Sequence, residues 1–219
     1  MLRKICSMAN LLLLLTATHL CSQGVPMTSG QFLTRAGVSL DNDSLIHALN
    51  DKRKGVLASA AMVLAERGIT ETVPAIAKHM KEEHDKVLVL TLAQSLNMLG
   101  SNEGTSQLKA FCLGKEENIG ERMRAAYALV NTKNYSCVQI MPELLTSASP
   151  SEKRSALEYL LQVPSPQENA PKSLGPDLLA IASSDTDKQF RAHARQIISR
   201  IGDPATKDAL RRLPPDDFQ

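Results

Sequence analysis

An all-α fold built from stacked helix pairs is what this sequence predicts, and three observations carry the prediction. A pattern recurs five times along the chain at a nearly constant step, as from Gly68 to Gly100. Small residues sit at the same place in most copies, as at Ala60-Ala61 and Ala125-Ala126. Aromatic residues make up only 3% of the chain and Trp is absent, so a core must be built from Leu, Ala, Ile, Val and Met, which suit packed helices better than sheets.

The second half of each copy is the clearest. Leu57-Ala58-Ser59-Ala60-Ala61-Met62-Val63-Leu64 closes at Gly68, and Leu92-Ala93, Leu96 and Gly100 repeat its positions one step on. Ala125-Ala126 and Leu129 follow after a second step of nearly the same length, and Ala156-Leu157 and Leu160 after a third. The last step, to Ala194-Arg195, Ile198 and Gly202, is longer, because Pro164, Pro166 and Pro171 extend one connection. First halves precede them: Leu45-Ile46-Leu49, Val73-Ile76-Met80, Leu108-Phe111, Ile140-Leu144-Leu145 and Leu174-Leu178-Leu179. In both halves apolar residues return every three or four positions, which marks amphipathic helices. Pro74, Pro142 and Pro176 fall near first-helix starts, where proline's missing N–H costs nothing. Gly68, Gly100 and Gly202 fall just past second helices, where a left-handed cap favours glycine. The unit is helix, turn, helix. One pair cannot bury its apolar stripe alone, and five stacked pairs can.

The second-helix segments Arg122-Met123-Arg124-Ala125-Ala126-Tyr127-Ala128-Leu129 and Phe190-Arg191-Ala192-His193-Ala194 resemble HEAT repeats, specifically the short class of the phycobilin lyases. The resemblance covers residues 44–213 and implies a right-handed α-α superhelix, a HEAT-like solenoid of about five helix pairs. It is nearly silent on chemistry, since such repeats serve unrelated roles. The fourth copy departs most, with Lys153 in place of Arg and no closing glycine.

Around this domain the organisation reads as follows. Arg3 and Lys4, the run Leu11 to Leu15, and the small residues Ser22 and Gly24 have the order of an export signal over residues 1–24. Asn10, Thr16, Thr18 and His19 keep the run short of a membrane span. Bulky Leu20 argues against Cys21 as a lipid anchor. The expected location is therefore periplasmic or secreted. Residues 25–43 read as a linker or an N-terminal cap, and 214–219 as a disordered tail. The net charge is +2, but the first 24 positions hold two cations and no carboxylate, so the remainder balances 23 basic against 23 acidic residues. That balance speaks against generic nucleic-acid binding.

The register places residues in rows. One row is Leu57, Val89, Arg122, Lys153 and Arg191; six positions earlier lie Asp51, Glu83, Glu116, Ser147 and Asp185. Two readings of the cations stand. They brace the stack as a ladder onto loop carbonyls and acidic neighbours, or they form a basic stretch that receives a partner protein with an acidic surface. On the second reading the partner-binding residues are Met62, Gln94, Arg122, Arg124, Tyr127, Arg154, Glu158, Arg191 and Gln196, on the concave face of the second helices, with Tyr127 as the anchor.

Chemistry is sparse. His79, Glu82, Glu83, His84 and Asp85 are the densest set of potential ligands, but lysines interleave them and no HExxH pattern occurs. The repeated His-Glu dipeptides of the HEAT-built metal hydroxylase are absent. No nucleophile elbow, P-loop or dinucleotide fingerprint appears. The expectation is a binding scaffold and not an enzyme, with no cofactor and no metal; the alternative is a cofactor-binding or lyase-type subunit related to bilin lyases. Cys112 aligns with Leu145, eight positions beyond Cys137, which predicts a Cα separation of about 15 Å and free thiols.

Overall fold

The computed structural model describes residues 27–215 except Glu116, Gln167 and Asn169. The expected signal, Cys21 and the last four tail positions lie outside the described residues. Among those described, every regular element is a helix and none is long and apolar enough to cross a membrane.

Twelve α-helices follow in order among the described residues: α1 (Ser29–Arg35), α2 (Asn42–Ala48), α3 (Lys54–Glu66), α4 (Val73–Glu82), α5 (Lys86–Met98), α6 (Asn102–Leu113), α7 (Ile119–Val130), α8 (Met141–Leu145), α9 (Pro150–Gln162), α10 (Leu174–Ser184), α11 (Lys188–Ile201) and α12 (Pro204–Arg211). Short 3₁₀ turns at Thr70–Thr72 and Ser136–Ile140 lead into α4 and α8. Helices α3, α5, α7, α9 and α11 are the second helices, and each packs on the next in an unbroken row. Each also pairs with the first helix of its own repeat. This is an α-solenoid with one continuous core.

The seam between second helices is made of the small residues. Ala60, Ala61, Leu92, Ala93, Ala125, Ala126, Ala156, Leu157 and Ala194 are all fully buried, and Leu64, Leu96, Leu129, Leu160 and Ile198 fill the space between them. Burying one leucine contributes about 1.5–3 kcal/mol, so stacking, not any single pair, holds the fold. Helices α5 and α6 approach closely at Gly104 on α6, where an added Cβ would lie 2.5 Å from Leu96 Cβ and 2.6 Å from the Asn97 amide nitrogen.

Second-helix ends use one device three times. Gly68 donates its N–H to the Ala65 carbonyl while Ile69 donates to Leu64; Gly100 and Ser101 do the same to Asn97 and Leu96. At the end of α7 the role falls to Lys133, with φ 59°, as Lys133 and Asn134 donate to Val130 and Leu129. Gly202 departs from expectation. Its φ is −60°, so no left-handed cap forms, and its lack of a side chain matters because a Cβ would meet the Ile198 carbonyl oxygen at 2.5 Å.

The solenoid's first-sequence end is closed by α1. The polar segment before residue 43 contains this helix because Thr28 and Gln31 form a reciprocal capping box and Leu33 buries completely while α1 packs on α3. At the other end α12 packs on α10 and α11.

Candidate functional site

The structure separates the predicted residues into those that brace the stack and those that face outward. Arg122 braces. It is only 6% exposed, its Nε donates to the Cys112 carbonyl at 3.1 Å, and its Nη1 donates to Glu143 on α8 at 2.8 Å. Binding a partner would require it to leave a buried position, so its expected place on the binding face is corrected. Arg191 is half-buried and donates to the Asp185 carbonyl at 2.7 Å, and Lys153 donates to the Asp185 carboxylate at 2.6 Å. The contacts of Arg122, Lys153 and Arg191 fit the ladder reading of this row.

The ladder extends further than the sequence row showed. Lys54 at the start of α3 donates to Glu83 at 2.8 Å, and Lys86 at the start of α5 donates to Glu117 at 2.8 Å. Each bond ties the N-terminal turn of a second helix to the loop that follows the next repeat's first helix. Lys54 and Lys86 are separated by the same step as Gly68 and Gly100, and that spacing was the available signal. Glu83 also accepts the amides of His84 and Asp85, and Lys54 together with these donors holds its carboxyl down to about 2. Glu83 is thereby committed to the loop. Among the described residues no three His, Cys, Asp or Glu side chains come together in a metal-holding group.

Tyr127 is half-buried. Its hydroxyl donates to the Ser155 carbonyl on α9 at 3.0 Å, and its ring meets the buried Tyr159 edge-on at 6.1 Å. Burial, and then the nearby Glu158 charge, pushes its hydroxyl up to about 12. A hydroxyl spent on the next helix makes Tyr127 a joint between repeats first and a contact surface only along its open edge. Met62 and Gln94 are also half-buried.

Arg124, Arg154, Glu158 and Gln196 remain exposed on α7, α9 and α11. Arg124 reaches back to donate to Thr91 Oγ1 on α5 at 2.7 Å, and Arg154 lies 5.5 Å over the Phe190 ring of α11. These contacts fix where the guanidinium groups sit without neutralising them. Two oriented cations on successive second helices can receive carboxylates from outside.

A buried polar cluster went unpredicted. Asn97, 2% exposed, occupies a position where α7 and α9 carry Val130 and Leu161. Its Nδ2 donates to the Ala128 carbonyl at 3.1 Å and its Oδ1 accepts from Thr105 at 2.8 Å. It locks α5, α6 and α7 in register.

The cysteines overturn the free-thiol expectation. Cys112 and Cys137 form a disulfide with a Cα separation of 6.1 Å, and both are fully buried. The register argument assumed one straight first helix in the fourth copy. Instead, residues Ser136–Ile140 form a 3₁₀ turn that packs directly on α6, and only Met141–Leu145 is α-helical. The turn carries Cys137 to the end of α6.

With repeats, seam and bracing ladder in place, the comparison with known families decides the assignment: residues 42–129, from α2 through α7, match the model for HEAT repeats. Over that span the chain carries HEAT repeats. No curated protein matches the chain. The HEAT match covers the first three pairs, and α8 to α11 continue the same row of second helices beyond it.

Proposed function

We propose that this chain is an exported HEAT-repeat scaffold that binds another protein along the concave, second-helix side of the solenoid. HEAT repeats are a helical scaffold for protein interaction; the finer reading rests on the exposed quartet Arg124, Arg154, Glu158 and Gln196, which stays accessible while the other cations of the predicted face are spent on the stack. The partner presents carboxylates to Arg124 and Arg154. Export is supported by the buried Cys112–Cys137 bridge, since disulfides persist in oxidising compartments, and by the signal-like first 24 positions.

The test is capture by crosslinking in the native host with the full chain, followed by the Arg124→Ala/Arg154→Ala variant. Neither side chain is buried, so the fold stays intact. Loss of the captured protein, with an unchanged circular dichroism spectrum, is the expected result. Equal capture by both chains would sink the assignment of this face.

A further inference from the structure

The row Leu57, Val89, Arg122, Lys153 and Arg191 is broken at one place. Leu57 is buried, and the three cations reach acceptors, Arg122 from the most buried position. With Nε on the Cys112 carbonyl of α6 and Nη1 on Glu143 of α8, the Arg122 side chain spans the first helices of two successive repeats. One repeat earlier the same place on α5 holds Val89, whose short side chain spans nothing. Val89 is half-buried, and it lines an open groove between α4 and α6.

This groove has the two parts that an arginine side chain requires. Met80 of α4, Val89 of α5 and Phe111 of α6 supply apolar surface, along which an arginine stem lies while its head stays among polar groups. Glu103 and Gln107 of α6 supply acceptors. Glu83 and Glu117, which also line the groove, are held by Lys54 and Lys86 of the ladder at 2.8 Å. Glu103 is held more loosely. Its ion pair with Lys81, at 2.8 Å, leaves 66% of the lysine side chain and 39% of the glutamate side chain exposed, and such a pair yields readily to a competing cation.

We propose that the groove receives an arginine side chain of a partner protein, in the place that Arg122 fills one repeat later. The guanidinium pairs with Glu103 and donates to the Gln107 side-chain oxygen, and the stem covers Val89. The lining carries Glu83, Glu103 and Glu117 against Lys81 and Lys86, which favours a cation over an anion. Arginine is favoured over lysine because its planar fork makes two parallel bonds to one carboxylate. The groove shares no residue with the quartet on α7, α9 and α11 and takes the opposite charge, so its test stands apart from that reading.

The experiment titrates the full chain with the blocked tripeptide N-acetyl-Ala-Arg-Ala amide and with its lysine and citrulline counterparts, read by methyl and side-chain amide NMR signals. The arginine peptide should shift the methyls of Met80 and Val89 and the Gln107 amide, and bind about tenfold tighter than the neutral citrulline peptide. The lysine peptide should fall between them. Glu103→Gln should weaken the arginine peptide by a similar factor. Val89→Arg, which lets the chain fill its own groove, should abolish the shifts at Met80 and Gln107. No shift at these positions, equal binding of the citrulline or lysine peptide, or binding unchanged in Glu103→Gln would overturn the proposal. So would shifts scattered over acidic positions outside the groove.

Discussion

Removing the Cys112–Cys137 bridge is the sharpest perturbation available, because it tests a contact that links two repeats at their weakest joint. The bridge closes a loop with a sequence separation of 25. In the chain-entropy treatment a loop of that size restricts the unfolded chain by about 3.5 kcal/mol at 25 °C. For a domain of this size each kcal/mol moves the melting midpoint by roughly 2–4 °C, so the loss is about 7–14 °C. The Cys112→Ala/Cys137→Ala variant avoids buried hydroxyls and should melt lower by that amount in circular dichroism scans. Hydrogen exchange should speed up first at residues 131–150, where the 3₁₀ turn and the short α8 have little else holding them to α6. Alkylation of both cysteines in denatured, unreduced protein would refute the bridge. A midpoint indistinguishable from the parent's would refute the claim that it staples this joint.

Three further outcomes follow from particular residues. Lys133 holds φ 59° at a position where the two preceding second helices end in glycine, so Lys133→Gly should raise stability by roughly 0.5–1 kcal/mol in urea titration; a fall would mean that the lysine side chain makes a contact outweighing its strained backbone. Gly104→Ala forces a Cβ onto Leu96 and the Asn97 backbone of α5, and should destabilise by roughly 1–3 kcal/mol; a neutral result would show that α6 can shift freely. The Glu83 carboxyl is held down to about 2 by Lys54 and two amides, below its ordinary 4.5. Between those values the unfolded chain binds the proton and the folded one does not, so stability falls as pH drops from about 4.5 to about 2. Glu83→Gln should flatten the pH dependence of the midpoint in that window, and an unchanged profile would exclude Glu83 from the acid transition.

Much of the fold was legible because a solenoid repeats its constraints. Ala60-Ala61 alone is an ordinary helical dipeptide; the same pair two steps on at Ala125-Ala126, with Leu129 at the place of Leu64, fixes a register. The register failed where one copy departs from the common geometry. Nothing local distinguishes a 3₁₀ turn at Ser136–Ile140 from the first turn of an α-helix, since both bury Val138 and Ile140, yet that difference brings Cys137 within bonding distance of Cys112. Gly202 failed for the opposite reason. It keeps the identity of Gly68 and Gly100 but serves close packing on Ile198, and residue type alone cannot tell a left-handed cap from a steric gap.

The site was less legible, and the reason lies in what a register reports. It places side chains in rows, but a row of cations braces or binds according to whether acceptors stand within reach, and those acceptors come from other elements. Arg122 and Arg124 are next-but-one neighbours on one helix; the first finds the Cys112 carbonyl and Glu143 and is buried, and the second finds a single hydroxyl and stays open. Lys54 and Lys86 entered the ladder unnoticed because their partners Glu83 and Glu117 sit in loops of slightly different length, which hides the common spacing. In a stack of near-identical pairs the residues proposed to bind are the ones left over once each repeat has satisfied its neighbour, and the quartet on α7, α9 and α11 is what stays exposed on the predicted face by that subtraction.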